Sequence, residues 1–235
     1  MIPLRDDQPR YSTPYVNYFL IVLNVVVFFF ELSVKAQSPR AYNALFYEFG
    51  IIPSHFTNGF AYHANLGTFL TILTSMFLHG GWWHIIGNMW VLWIFGDNIE
   101  DQLGHFAYLI FYLFCGLAAG ITHILLNAGS NIPTAGASGA IAGIMGAYFL
   151  LYPRAKVLTL VPLIIFFTFW WLPAWIVLGY WFLIQFFSGT LTRAAAMGHD
   201  TGGIAFWAHV GGFVAGIVLI KVFPQRPGRY RYGYQ

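Results

Sequence analysis

The chain has 235 residues, of which 58% are hydrophobic, 20% are aromatic and only 8% are charged. Soluble domains carry roughly 25% charged residues, and a chain with one cysteine forms no internal disulfide. The composition therefore excludes a soluble enzyme, a disordered chain and a disulfide scaffold, and indicates an all-α, polytopic membrane protein. The net charge is +3, and the basic residues lie between or outside the apolar runs. This placement indicates that they set the orientation in the membrane and contact anionic lipids, rather than bind nucleic acid.

Six apolar segments predict six spanning helices, since about 20 mostly apolar residues cross a bilayer. In chain order they are 15–34, 83–95 (entered from an apolar stretch that begins near Thr68), 105–126, 138–152, a helix within 161–187 that opens at Pro173, and 204–223. The first is longer than the 7–15 apolar residues of a signal peptide, so a cleaved leader is the less favoured alternative. We expect a membrane domain over 15–223, with a long loop at 35–80 that holds short helices and a covering loop at 188–203.

The basic residues favour an orientation with both termini in the cytoplasm, because positive charge concentrates on that side of a membrane. With six spans, the cytoplasmic side carries Arg5, Arg10, Arg154, Lys156, Lys221, Arg226, Arg229 and Arg231, and the opposite side carries Lys35, Arg40 and Arg193. Residues 1–14 are then a cytoplasmic N-terminal segment, and 224–235 form a basic, solvated cytoplasmic tail.

The acidic residues narrow the chemistry, because none of the eight carboxylates lies in the middle of a predicted span. An aspartyl intramembrane protease, which needs two carboxylates that share a proton, is excluded. Proton-driven transport is disfavoured for the same reason, and the lack of an internal repeat weakens an inverted-repeat transporter. There is no His-Glu-x-x-His motif, so we expect neither a metal nor a cofactor. Any catalytic site must therefore be built from serine, histidine and asparagine side chains.

Ser138 and His209 are the candidate nucleophile and base. Ser138 starts the fourth span, where unpaired N–H groups at a helix N-terminus can hold an oxyanion. His209 lies near the start of the sixth span, and a neutral imidazole accepts a proton. Taken singly, each has a simpler interpretation: Ser138 as a helix cap, and His209 as a structural histidine bonded to a carbonyl.

Glycines predict that these two helices meet. Gly139, Gly143 and Gly146 share one face of the fourth span, and Gly212 and Gly216 form a G-x-x-x-G pair in the sixth. Small faces let membrane helices approach closely. We expect these glycines, together with Gly136, to pack helices and to bring Ser138 and His209 into one gap; ordinary small-residue packing is the alternative.

His84 and Asn88 are four residues apart in the second span and therefore share a face. A neutral imidazole and a carboxamide can both donate a hydrogen bond to a developing oxyanion. Hydrogen bonding between helices is the alternative interpretation, since such bonds are common in membranes.

Taken in chain order, these motifs make the sequence resemble the rhomboid family of intramembrane serine proteases. The matching pieces are 77–84 (FLHGGWWH) with Asn88, 95–101 (FGDNIED) with Gly104, 136–139 (GASG), 153–155 (PRA) and 208–212 (AHVGG) with Gly216. The resemblance implies a six-transmembrane-helix rhomboid-like bundle with its active site sunk below the membrane surface.

The resemblance also implies roles for single residues. Ser138 is the nucleophile and His209 the general base, without an acidic third member. His84, Asn88 and the backbone N–H of Ser138 line the oxyanion hole. By the same resemblance, His79 is structural, and Glu100 ties the inner ends of helices together.

Two features depart from the family pattern. Many members have an aromatic residue four positions after the serine, against which the histidine packs, and here that position is Ala142. Another residue must then restrain His209. The Trp-Arg pair that many members carry in the first long loop also has no counterpart here.

We therefore predict a serine endopeptidase that hydrolyses peptide bonds in or near transmembrane segments of membrane-protein substrates by a Ser-His dyad. The Trp-rich fifth span is expected to admit substrate laterally beneath the 188–203 loop. A catalytically inactive rhomboid-like protein that binds clients, and a small transporter, are the alternatives. The compact form resembles prokaryotic plasma-membrane members. We expect the partners to be transmembrane protein substrates and the lipid bilayer.

Overall fold

The computed structural model describes residues 1–57, 65–163, 166–195 and 205–226. In these ranges the chain is mostly helical. The helices are α1 (Tyr15–Gln37), α2 (Pro39–Phe49), α3 (Pro53–Thr57), α4 (Leu66–Thr74), α5 (Trp82–Leu103), α6 (His105–Leu126), α7 (Ser138–Leu151), α8 (Ala174–Ala195) and α9 (Phe206–Leu219). The strands are β1 (Ile2–Asp6), β2 (Lys156–Leu163) and β3 (Phe166–Pro173).

Among the described residues, three helical segments are long and apolar enough to cross a membrane: Tyr15–Gln37, His105–Leu126 and Ala174–Thr192. Helices α7 and α9 are apolar but have only 14 residues each, which is about 21 Å at 1.5 Å per residue. Helix α5 has 22 residues, but its last two turns carry acidic and amide side chains. The membrane class is confirmed, and the count of six spans stays a prediction.

Helix α7 lies at the centre of the bundle. All its residues from Gly139 to Tyr148 are buried, and helices α5, α6, α8 and α9 surround it. A helix that is apolar on every side needs partners on every side, and small residues let those partners come close. The first residue of this central helix is Ser138.

Buried polar contacts join the N-terminal ends of α1 and α6 to the C-terminal end of α5. The carboxylate of Glu100 accepts hydrogen bonds from the backbone N–H groups of Val16 (2.9 Å) and Asn17 (2.7 Å), and contacts Nδ1 of His105 at 2.5 Å. Two free N–H groups of the first turn of α1 are thereby satisfied by a negative charge at a helix N-terminus. This agrees with the tying role that the resemblance implies for Glu100.

The long loop between the first two spans contains short helices, as predicted. Helices α2, α3 and α4 lie within it, and Ser38 and Asn65 cap α2 and α4 by accepting a backbone N–H with their side-chain oxygens. At its end, the carboxylate of Glu31 in α1 accepts the backbone N–H of His79 at 3.0 Å. This bond fixes the loop just before α5 begins.

The all-α prediction is wrong in one respect: strands β1, β2 and β3 form an antiparallel sheet in the order β1-β2-β3. Asp6 pairs with Val157, and Lys156 pairs with Pro173. Residues 156–173 are rich in β-branched and aromatic side chains, which favour strands, whereas the apolar run 161–187 was predicted to contain the fifth span. That helix begins at Ala174, next to the predicted Pro173.

One predicted boundary needs correction. The covering loop was expected to begin at 188, but α8 continues to Ala195, and residues 196–204 lie outside the described ranges. At the start of the predicted tail, the backbone of Arg226 forms hydrogen bonds of 2.9 and 3.2 Å with Gln102. Residues 227–235 of the tail lie outside the described ranges, so the solvated tail stays a prediction.

Candidate active site

The loop that leads into Ser138 is held at two points. Thr134 and Ile51 exchange backbone hydrogen bonds of 2.8 and 2.9 Å, and the N–H of Gly136 donates to the carbonyl of Ser75 at 2.8 Å. Gly136 has φ +139°, and a Cβ there would lie 2.7 Å from the ring of His84. Gly136 was predicted to pack helices; it precedes α7 instead, and its lack of a side chain makes room for His84.

The structure brings Ser138 and His209 together. Nε2 of His209 lies 2.8 Å from Oγ of Ser138, which is within the range for a nucleophile and its base. Ser138 is half-buried, and His209 is buried in α9. The two residues are 71 positions apart in the chain.

Close backbone contact between α7 and α9 makes this pairing possible. A Cβ on Gly212 would lie 2.0 Å from the carbonyl oxygen of Gly139, and a Cβ on Gly216 would lie 1.9 Å from that of Gly143. Contacts under 3.0 Å to backbone essentially never occur for real Cβ atoms. These four glycines therefore lie where the backbones of α7 and α9 touch.

Helix α8 supplies two contacts to His209 that the sequence did not predict. Oε1 of Gln185 lies 2.7 Å from Nδ1 of His209. The ring of Trp181 lies 5.6 Å from the imidazole, centroid to centroid, at an interplanar angle of 39°. Gln185 is buried, and an amide inside a predicted span was the available signal, because polar groups in a membrane segment are costly unless they serve a purpose.

His84 and Asn88 lie on the same face of α5 and line one cavity with Ser138 and His209. Asn88 is also tied to the preceding loop, since its Nδ2 lies 3.0 Å from Nε2 of His79. Nδ1 of His79 lies 3.3 Å from the carbonyl oxygen of Phe77, which can only accept. Hence Nδ1 donates, Nε2 accepts from Asn88, and one N–H of the Asn88 amide is left for another acceptor.

The cavity has a volume of about 690 Å³, within the usual range for ligand sites. Its lining combines polar groups from α5, α7 and α9 with apolar side chains such as Val91, Met145 and Trp181. Among the described residues, no group of three or more His, Cys, Asp or Glu side chains is placed to hold a metal ion.

Comparison with known proteins identifies the group of proteins to which this chain is similar. A family model described as the Rhomboid domain matches residues 66–226, which is more than half of the chain. This chain belongs to the rhomboid family. The match covers α4 to α9, and with them Ser138, His209, His84, Asn88 and Gln185.

Curated rhomboid relatives match parts of the chain. Rhomboid protein 1, mitochondrial, of Saccharomyces cerevisiae is 28% identical over 63% of this chain and 40% of its own length. Rhomboid-like protein 11, chloroplastic, of Arabidopsis thaliana is 26% identical over 72% of this chain and 57% of its own length. Rhomboid protease GluP of Bacillus subtilis is 38% identical over 37% of this chain and 16% of its own length.

These matches span about half the length of the first two relatives or less. Of these three relatives, the bacterial one is named as a protease. The names of the other two state an organelle and no activity. Family membership, together with the apolar helices, makes this chain an integral membrane protein.

Proposed function

We propose that this rhomboid protein is an intramembrane serine endopeptidase that cuts peptide bonds in or near transmembrane segments of other membrane proteins. The observation that carries the proposal is the 2.8 Å contact between Ser138 Oγ and His209 Nε2 in a cavity that His84 and Asn88 also line. If Ser138 were only a helix cap, its hydroxyl would need no imidazole beside it. If the helices only packed together, their polar groups would not need to share a cavity.

The cycle is an acyl transfer. Nε2 of His209 takes the proton of Ser138 as Oγ attacks the scissile carbonyl, and the backbone N–H of Ser138 with His84 and Asn88 holds the oxyanion. His209 then gives its proton to the leaving amine. Water, activated in turn by His209, hydrolyses the acyl-enzyme and frees Ser138.

The substrate must unwind locally. An intact helix in lipid has all its backbone groups bonded internally, so its carbonyl carbons are not open to attack. We expect helix-breaking residues near the cut and, from the resemblance to the family, a small residue such as alanine just before it.

The proposal also includes membrane topology. We propose six spans, with both termini in the cytoplasm of a prokaryotic plasma membrane. The eight-to-three distribution of basic residues supports the orientation, and the resemblance of the compact form to prokaryotic plasma-membrane members of the family supports a bacterial setting.

The test uses the full chain in lipid vesicles with a fluorophosphonate probe and a transmembrane peptide that contains a helix-breaking segment. The wild type should be labelled and should cleave the peptide, whereas Ser138→Ala and His209→Ala should do neither while staying folded. Ser33→Ala, an exposed serine of α1, is the matched control and should behave as wild type.

Full cleavage by Ser138→Ala would overturn the proposal. Peptide binding without cleavage or labelling by the wild type would also overturn it, and would support a client-binding rhomboid instead.

A further inference from the structure

We propose that Gln185 is the positioning residue of the dyad: its side-chain oxygen fixes His209 in the tautomer that accepts the proton of Ser138. This inference rests on the proposed protease function and adds a residue from α8 to a site otherwise built from α5, α7 and α9. It also answers the question raised by Ala142, which is too small to hold the histidine ring.

The proton arrangement follows from which atoms meet. An amide oxygen only accepts hydrogen bonds, and Oε1 of Gln185 lies 2.7 Å from Nδ1 of His209, so Nδ1 is the donor. A neutral imidazole carries one N–H, which leaves Nε2 with its lone pair. That lone pair faces Oγ of Ser138 at 2.8 Å, as proton abstraction requires.

The same helix also restrains the plane of the ring. Trp181 lies four residues before Gln185, so both side chains project from one face of α8. The indole packs against the imidazole at 5.6 Å between centroids, while Gln185 holds one ring nitrogen. Because both restraints belong to α8, the imidazole is oriented only while α8 packs against α9.

No charged group duplicates this role in the described part of the chain, where no carboxylate forms an ion pair or hydrogen bond with His209. An orienting partner on the far nitrogen of a catalytic histidine sets the tautomer. A neutral glutamine performs that task without placing a negative charge in the bundle, where ionised side chains are costly.

The test compares Gln185→Leu with Gln185→Glu in the full-length protein in vesicles. Leucine has a similar size and cannot accept a hydrogen bond, so kcat for peptide cleavage should fall roughly 10–100-fold, as for other partners that orient a histidine, with KM little changed. Glutamate in its ionised form only accepts hydrogen bonds, so above the pKa of its carboxyl it should restore most of the lost rate despite the cost of its charge. Gln37→Leu, at an exposed position at the end of α1, is the matched control.

A spectroscopic readout separates positioning from a purely structural effect. In protein with ¹⁵N-labelled histidine, His209 of the wild type should show a protonated Nδ1 and an unprotonated Nε2. In Gln185→Leu the two tautomers should mix. The wild-type spectrum is informative even if the leucine variant does not fold.

Two results would overturn this inference: a protonated Nε2 in the wild type at neutral pH, or wild-type kcat in Gln185→Leu. If either occurs while Ser138→Ala remains inactive, the protease function stands and only the role of Gln185 fails. If Ser138→Ala cleaves the peptide, the protease function itself fails.

Discussion

The carbonyl oxygen of Gly139 occupies the position next to Gly212 where any side chain would have to begin, 2.0 Å from an ideal Cβ. Helices α7 and α9 thus touch backbone to backbone, at the residue after Ser138 and within one turn of His209. The separation between Ser138 and His209 is set by this contact.

Gly212→Ala should push α9 away from α7. A clash with backbone cannot be relieved by a rotamer change, so we expect a loss of about 3 kcal/mol in stability, the upper part of the range for overpacking, together with loss of fluorophosphonate labelling at Ser138. Thermal unfolding in detergent and fluorophosphonate labelling measure the two effects. Gly179→Ala in α8, whose Cβ would meet Phe149 at an ordinary 3.6 Å, is the control. A Gly212→Ala protein with wild-type melting and labelling would contradict the prediction.

Asn88→Ala should lower kcat by about 10²–10³-fold, as for removal of one oxyanion donor. The effect on KM should be small, because the donated bond strengthens only as charge develops. Steady-state cleavage in vesicles gives both constants. Asn43→Ala, an exposed asparagine of α2, should leave them unchanged. A rise in KM at constant kcat would show that Asn88 binds substrate rather than the transition state.

Glu100→Gln should loosen the N-terminal end of α1. One amide oxygen cannot replace both carboxylate oxygens that accept from Val16 and Asn17, and a buried donor without a partner costs about 1–3 kcal/mol. Hydrogen exchange at these two amides should speed up well before exchange in α7 changes. The exposed Glu48→Gln should not alter exchange at either place, and unchanged protection in Glu100→Gln would refute the tying role.

Asp6→Asn should remove a pH dependence of stability. Burial raises the pKa of Asp6 from 3.8 to about 7, against the opposing hydrogen bond from the Tyr148 hydroxyl, and the nearby Asp97 and Asp7 raise this pKa further. Between pH 4 and 7 the folded state therefore holds a proton that the unfolded state has released, so the free energy of unfolding falls as pH rises through this window.

The asparagine variant keeps an oxygen that can accept from Tyr148 and has no charge to desolvate. Its stability relative to wild type should increase from pH 4 to pH 7 and level off above pH 7. Denaturant unfolding in detergent at pH 4, 6 and 8 measures the difference. An equal gap at all three values would mean that Asp6 titrates normally in the folded protein.

The sequence alone determined the membrane class, most helix positions and the identity of the candidate dyad. Hydrophobic content and the length of an apolar run show directly whether a segment prefers lipid or water. The glycines at helical spacing marked the helix faces that allow close contact between helices. Ser138, His209, His84 and Asn88 stood out because polar groups are costly within apolar runs.

The tertiary structure decided what holds these residues in place. Gln185 and His209 are 24 positions apart, and whether an amide on α8 faces lipid, another helix or the dyad depends on how α8 rotates against α9. Strand β1 pairs with β2 across some 150 residues, so no local pattern marks the partner. Both features depend on distances between remote segments, which packing sets and periodicity along one segment does not encode.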